Sequence, residues 1–361
     1  MENLKKTPLY DRHIEAGAKM SPFGGFDMPI EYSGIVSEHE AVRKQVGVFD
    51  VSHMGEVLVA GQEAVRFVNY IFTNDISNLT IGKILYGMML NPDGGTVDDL
   101  LVYHMEEQKF LLVINASNID KDVAWIMTHA QAFNVRAINC SDDWAEIAVQ
   151  GPASETMLMS VLGIDVTDLS FYEFKQLADG TIVSRTGYTG EDGFEVYSTP
   201  RRIDSMWQKL MDAGVMPCGL GCRDTLRFEA GLPLYGDELT DSISPIEAGL
   251  GMFVKTEKPE FIGREAVIRQ KTDGVSRKIV GLEIEGPAIA RHGYDVLDCD
   301  GNKVGEVTTG YRSITLGRNL AMAIVEADCA KLGTKLQVQV RRKIFPAQVI
   351  KKRFYTPNYK K

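Results

Sequence analysis

The sequence predicts an α+β chain of several domains: two α+β antiparallel-sheet units, then a C-terminal all-β barrel or jelly roll. Three observations lead there. The 361 residues are more than one ordinary core fills. Strand-like and helix-like segments alternate twice, over roughly 50–135 and 140–240. After about 276 the texture changes to short strands separated by turn dipeptides: IVGLEIEG, GYDVLDCDGNKVGEVTTG, LAMAIVE and KLQVQVRRKIFPAQVIKK. The expected division is 1–140, 141–275 and 276–361, with the first two units free to interleave in space.

The elements follow in order. Residues 1–50 are broken by Pro22, Gly24, Gly25, Pro29 and Gly34 before a helix at Ser37–Val46. Gly55–Ala60 reads as a strand. Gln62–Phe72 reads as an amphipathic helix, because Val65, Val68 and Phe72 fall at helical spacing. Ser117–Phe133 is a helix with Ser117 as its N-cap, and His129 on it is a packed or surface residue rather than a ligand. Glu146–Gln150, Thr181–Arg185 and Phe194–Ser198 read as strands. Gly151–Leu162, Arg201–Asp212 and the segment ending at Gly231 read as helices. Asp300-Gly301 marks a hairpin turn in the last unit.

The most informative stretch is NPDGGTVDDLLVYHMEEQKFLLVIN, residues 91–115. Two β-branched and aliphatic runs flank Glu106-Glu107-Gln108, which is a hairpin pattern. If Met105 faces Lys109, Asp99 falls opposite Asn115, and an acid and an amide share one end of the hairpin. Asp98 and Asp99 point to opposite faces, so at most one of them serves a given site. Asp99 is the candidate, and Asp98 is assigned to turn chemistry or solvent. Taken alone, an Asp-Asp pair after Gly-Gly is more often simple turn chemistry.

Composition narrows the function. The apolar fraction is 44%, the charged fraction 24% and the net charge −10, which argues against nucleic acid as the main partner. A local basic patch remains available in Arg341-Arg342-Lys343 and Lys351-Lys352-Arg353, or these are solvated strand edges. Five dispersed cysteines without Cys-x-x-Cys, and six scattered histidines, support neither a disulfide framework nor a metal site. No apolar leader and no eighteen-residue apolar run occur, so a cytoplasmic protein without a membrane span is expected.

Three further segments carry candidates. SRTGYTGEDG is neither a P-loop nor a dinucleotide fingerprint. It leads into FEVY, where Glu195 and Tyr197 share one face. Such a carboxylate is usually solvated, but it can also accept two parallel bonds from an amidine-like edge such as that of a pterin. In GLGCRDTLRFEAG, Arg223 lies in a first helical turn, where the dipole disfavours a cation. A site or an acid partner holds it, with a surface salt bridge to Asp224 or Glu229 as the alternative. Ser52 and His53 are adjacent on extended chain and point apart, and no G-x-S-x-G elbow occurs, which disfavours a hydrolase.

Along its whole length the chain resembles the glycine cleavage system T-protein family of aminomethyltransferases. The resemblance rests on TPLYDRH, FGGFDMPIEY, EHEAVRKQVGVFDVSHMGE, FTNDIS, GGTVDDLLVY, QGP, SRTGYTGEDGFE, GLGCRDTLRFEAGLPLYG, SPIEAGLGMFVK, FIGREA, GEVTTG and FYTPNY. It implies three domains around a central folate-binding opening. It also implies transfer of the methylene carbon of an aminomethyl group from the dihydrolipoyl arm of a lipoylated H-protein to tetrahydrofolate, with release of ammonia and without a metal. By position, the family's essential aspartate falls on Asp99, and Glu195, Arg223 and Tyr359 match folate-binding positions. Asn115, Tyr188, Tyr86 and Met54 fall in segments that line the pocket. The basic tail residues are candidates for a cationic entrance. Two alternatives belong to the same superfamily. One is a folate-dependent demethylase, whose dehydrogenase relatives carry a flavin domain that this chain has no room for. The other is a non-catalytic folate-binding protein, expected to lack the full GGTVDDL and GEDGFE set that is intact here.

Overall fold

A computed structural model describes residues 4–356 and 359. Two sheets and a barrel carry the chain. The first sheet has the order Ile84–Leu90, Thr96–Glu106, Lys109–Ile114, Gly55–Ala60, Arg136–Asn139 and is antiparallel throughout. Its strands alternate, so Val57, Val59, Phe110 and Leu112 face outward onto the helices Ala64–Ile71 and Ile119–Ala130. Phe67 and Val68 of the first helix are fully buried in that layer. Removing a ring such as that of Phe67 costs about 3–5 kcal/mol.

The second sheet has the order Phe174–Gln176, Ile182–Ser184, Gly193–Ser198, Ala145–Gln150, Gly47–Asp50, Met216–Pro217. The strand Gly47–Asp50 precedes the first sheet in sequence, yet it pairs inside the second, so the two segments cross over. The edge pairing of Met216–Pro217 with it is parallel, a departure from the all-antiparallel expectation. Ile147, Val149, Phe194 and Val196 pack outward on Ile203, Trp207 and Leu210 of the helix Pro200–Asp212. The inner faces of both sheets meet through Tyr103, Leu111, Val113, Ile182 and Tyr197.

Of barrel or jelly roll, the last unit takes the barrel. Six antiparallel strands close in the order Arg277–Ile284, Asn319–Glu326, Lys303–Arg312, Asp295–Leu297, Lys335–Val340, Lys343–Ile350. Leu320, Met322 and Ile324 on its outer face pack with Met88 and Leu90 of the first sheet and Phe228 of the helix Leu220–Ala230. That shared cluster joins all three units.

Several local expectations change. The first long helix runs Ile35–Lys44, not Ser37–Val46. Residues 151–162 form a short helix, Ser154–Met157, followed by a wide turn Leu158–Leu162, because Gly151 and Pro152 delay the start. Ser117 is not an N-cap. It is exposed in the tight turn Ala116–Asn118, and Asn118 stands before the helix with its amide committed elsewhere. The hairpin pairs Glu106, not Met105, with Lys109. A bulge between His104 and Glu106 then restores the expected register, with Leu101 opposite Val113. The Gly-Gly turn before the aspartates has two separate requirements. Gly94 adopts φ +89°, and a Cβ on Gly95 would lie 1.8 Å from the Asp241 carbonyl.

Candidate functional site

Where the two sheets, the helix Leu220–Ala230 and the start of the C-terminal tail converge, they enclose a cavity of about 620 Å³. The site hairpin supplies one wall. Strand alternation turns Asp99 and Leu101 into the cavity and Asp98 away from it. Asp99 Oδ2 accepts a bond from Tyr86 Oη at 2.9 Å, and Oδ1 accepts one from Asn115 Nδ2 at 3.0 Å. The same Nδ2 reaches the Asp99 carbonyl at 3.0 Å, so the pairing read from the sequence is present in three dimensions. Burial, and then the charge of Asp98, push the Asp99 carboxyl up to about 7, against the pull of Tyr86 and Asn115.

The second sheet supplies the facing wall. Glu195 and Tyr197 look into the cavity while Phe194 and Val196 are core, as alternation requires. Glu195 is buried rather than solvated, and its Oε2 accepts from Thr186 Oγ1 at 2.5 Å. Thr186 continues through Ser184 Oγ at 2.7 Å to Tyr103 Oη at 3.1 Å and Tyr197 Oη at 3.1 Å, a line of hydroxyls that fixes the carboxyl's orientation. Burial raises the Glu195 carboxyl, and Thr186 and the charge of Arg223 pull it back.

Arg223 enters from the helix Leu220–Ala230 and stands over the Tyr188 ring, 4.8 Å from its centroid. The surface salt-bridge alternative fails. Asp224 pairs with Arg227 at 2.7 Å, and Glu229 pairs with Arg43 at 3.1 Å and His39 at 3.3 Å. Arg223 Nη1 is buried with no acceptor among the described residues, beside the cavity it lines. A buried guanidinium N–H without a partner is unfavourable by about 1–3 kcal/mol, and an acceptor placed in the cavity would relieve that cost.

The GCVT N-terminal domain family matches residues 9–258, and the glycine cleavage T-protein C-terminal barrel domain family matches residues 277–356. The chain belongs to the glycine cleavage T-protein family. An aminomethyltransferase from Alkaliphilus oremlandii is 48% identical over 369 aligned residues, covering 100% of both chains. One from Caldanaerobacter subterraneus subsp. tengcongensis is 47% identical, covering 100% of this chain and 98% of its own. The crystal structure of the glycine cleavage system aminomethyltransferase T from Bartonella henselae superposes with a TM-score of 0.95 at 34% identity, covering 99% of this chain and 100% of its own.

Within this T-protein fold, most of the residues singled out from sequence converge. Asp99, Asn115, Tyr86, Met54, Tyr188, Glu195 and Arg223 all line the one cavity. Tyr359 does not line it. Its ring stacks on Phe171 at 4.4 Å, next to Tyr172, which does. The tail bases divide. Lys352 and Arg353 line the cavity, whereas Arg341, Arg342 and Lys343 sit at the turn between the last two barrel strands, outside the lining. Lys352 gives its ammonium to the Ala248 carbonyl, and burial lowers it to about 8. Asp98 is neither solvated nor a turn residue. It is fully buried and accepts from Asn115 N at 3.0 Å, Asn115 Nδ2 at 2.9 Å and Asn118 Nδ2 at 2.7 Å.

Two residues of the lining were not selected from the sequence. Glu146 lies in AEIAVQ, a strand buried at every position, and its Oε2 is buried without a donor beside the cavity. Burial, then Glu195 and Glu56, raise its carboxyl well above the ordinary range. A glutamate inside such an apolar run was the available signal. His53 is buried between Phe23 and Phe26 edges at 5.6 and 6.5 Å, and burial with the charge of Arg223 lowers it to about 4, so it is neutral. Its neighbour Ser52 turns away to the Glu146 carbonyl at 3.0 Å, as two adjacent extended residues must.

Proposed function

We propose that this cavity binds tetrahydrofolate and that the chain is the aminomethyltransferase of glycine cleavage. On this reading it takes the methylene carbon from the aminomethyl-dihydrolipoyl arm of a lipoylated H-protein and releases ammonia. The observation that carries the reading is the pairing of Asp99 and Glu195 on facing walls of one 620 Å³ cavity, with Arg223 over the Tyr188 ring and its Nη1 left without an acceptor among the described residues. That volume lies within the roughly 300–1,000 Å³ of small-molecule sites. The donor set suits a folate: a carboxylate for an amidine edge, a guanidinium without an acceptor, and tyrosine walls. When bound, the folate supplies the nitrogens that take the carbon.

The protein's own contribution is proton handling and orientation. Asp99, titrating near neutrality, takes or gives a proton at Oδ1 or Oδ2, which Tyr86 and Asn115 hold in place. Its negative form also stabilises positive charge that develops next to it. Glu195 and the hydroxyl line behind it orient the ligand. Tyr359 contributes through Phe171 and Tyr172 rather than directly, and Lys352 and Arg353 receive anionic groups at the cavity's edge. Phe23 and Met252, 37% and 71% exposed on the lining, offer apolar contact to an incoming arm. No helix among the described residues is long and apolar enough to cross a membrane, and we place the enzyme in the cytoplasm. The test mixes the protein with aminomethyl-loaded H-protein and tetrahydrofolate. Methylenetetrahydrofolate and ammonia in equal amounts are expected, and folate binding without either product overturns the assignment in favour of a non-catalytic binding protein.

A further inference from the structure

Behind Asp99, on the other face of the same strand, lies an acidic pair that the folate reading leaves unused. Three N–H groups converge on Asp98, two from Asn115 and one from Asn118. With so many donors, this carboxyl serves as an acceptor. Asp122, in the first turn of the helix Ile119–Ala130, is equally buried, and neither of its oxygens meets a donor among the described residues. The nearest cation, Lys121, stands 3.9 Å away and gives its protons to the Val97 carbonyl at 2.5 Å and Tyr235 Oη at 2.8 Å. An ionised carboxylate so placed is strongly unfavourable. After burial, Asp98 is the group that bears most on Asp122, and two carboxyls bond only when one carries the proton. Burial and Asp98 push Asp122 up to about 11, which puts the proton there.

We propose that Asp98 and Asp122 form a one-proton acid pair, Asp122 donating to Asp98, and that Asp98 is the positioning residue for Asp99. It acts in two ways. The Asn115 amide is shared, its Nδ2 lying 2.9 Å from Asp98 Oδ1 and 3.0 Å from Asp99 Oδ1, so the pair fixes the group that orients Asp99. The Asp98 charge also opposes ionisation of Asp99. The groups facing this centre are Asp99 on the same strand, Tyr86 on the adjoining strand, Lys121 on the helix, and Tyr235, itself near Asp241, on the loop beyond. The role for Asp99 rests on the folate reading, whereas the proton on Asp122 does not.

The closing experiment therefore has two arms. In Asp98→Asn the acid limb of the kcat/KM profile for aminomethyl transfer moves down by about one pH unit, and kcat falls more than KM rises. Asp122→Asn, which still offers Asp98 an N–H, retains more of kcat than Asp122→Ala. An unmoved acid limb in Asp98→Asn, or equal kcat in the two Asp122 variants, overturns the positioning role. The second arm needs no activity. Infrared difference spectra of the full chain, wild type minus Asp122→Asn, show a protonated-carboxyl C=O band that persists well above neutral pH. Its absence overturns the acid pair. A wild type that shows the band but no aminomethyl transfer refutes the functional reading while the acid pair stands.

Discussion

The two walls of the cavity present the same functional group in opposite electrostatic company. Asp99 has a like charge, Asp98, directly behind its strand, whereas Glu195 has an unlike one, Arg223, across the cavity. Burial raises both carboxyls. On the first wall the neighbour adds to that rise, and on the second it subtracts. Two acids of nearly the same chemistry are thereby set apart, one raised to about 7 and the other raised by burial but held back by Thr186 and Arg223.

The largest effect that would break this contrast is at Asp99. Asp99→Ala is expected to lower the rate of ammonia release by about 10²–10⁴-fold, the usual worth of a general acid or base, with folate affinity unchanged. A rate within a few-fold of wild type would show the two walls to be equivalent. Glu195→Ala is expected to do the converse, weakening folate binding by about 1.5–3 kcal/mol in calorimetry with a smaller change in the rate at saturation. Unchanged affinity would remove Glu195 from the binding wall. The pH profile sharpens the comparison. If Asp99 acts as a base, kcat/KM rises with pH through about 7. In Arg223→Gln, the pH range over which folate binds should move upward, because Glu195 loses the charge that holds its carboxyl down.

The smallest effect concerns stability. The folded-state value of Asp99 lies above its ordinary value of 3.8, so its contribution is fully present below that value and is lost as pH rises toward about 7. Asp99→Asn, which cannot ionise, is therefore expected to unfold at a higher temperature than wild type above neutral pH. The gain is about 2–4 °C per kcal/mol for a large domain, and it should vanish in acid. A thermal-unfolding series across pH reads it directly.

Legibility in the sequence follows the range of the interaction involved. Asp99, Asn115 and the alternation of Glu195 with Tyr197 are set by strand period and turn position, both local, and they could be read. Arg223 could be read because a cation in a first helical turn is a local misfit. Asp98 was misassigned because its donors come from a later turn and its partner from a helix more than twenty residues away. Glu146 and His53 were missed because what defines them is burial between sheets, which no short segment records. The parallel edge pairing and the crossover strand Gly47–Asp50 are long-range choices of the same kind.

The bulge at Met105 bears on how the chain tolerates insertions and deletions. The strand already carries one residue more than its partner between His104 and Glu106. Loss of Met105 would close the ladder regularly and leave every residue before it on its present face. Loss of Leu100, with the bulge kept, would instead exchange the two faces upstream, turning Asp98 toward the cavity and Asp99 toward Asp122. Two variants of equal length, differing only in which residue is missing, would then differ in which aspartate meets the ligand.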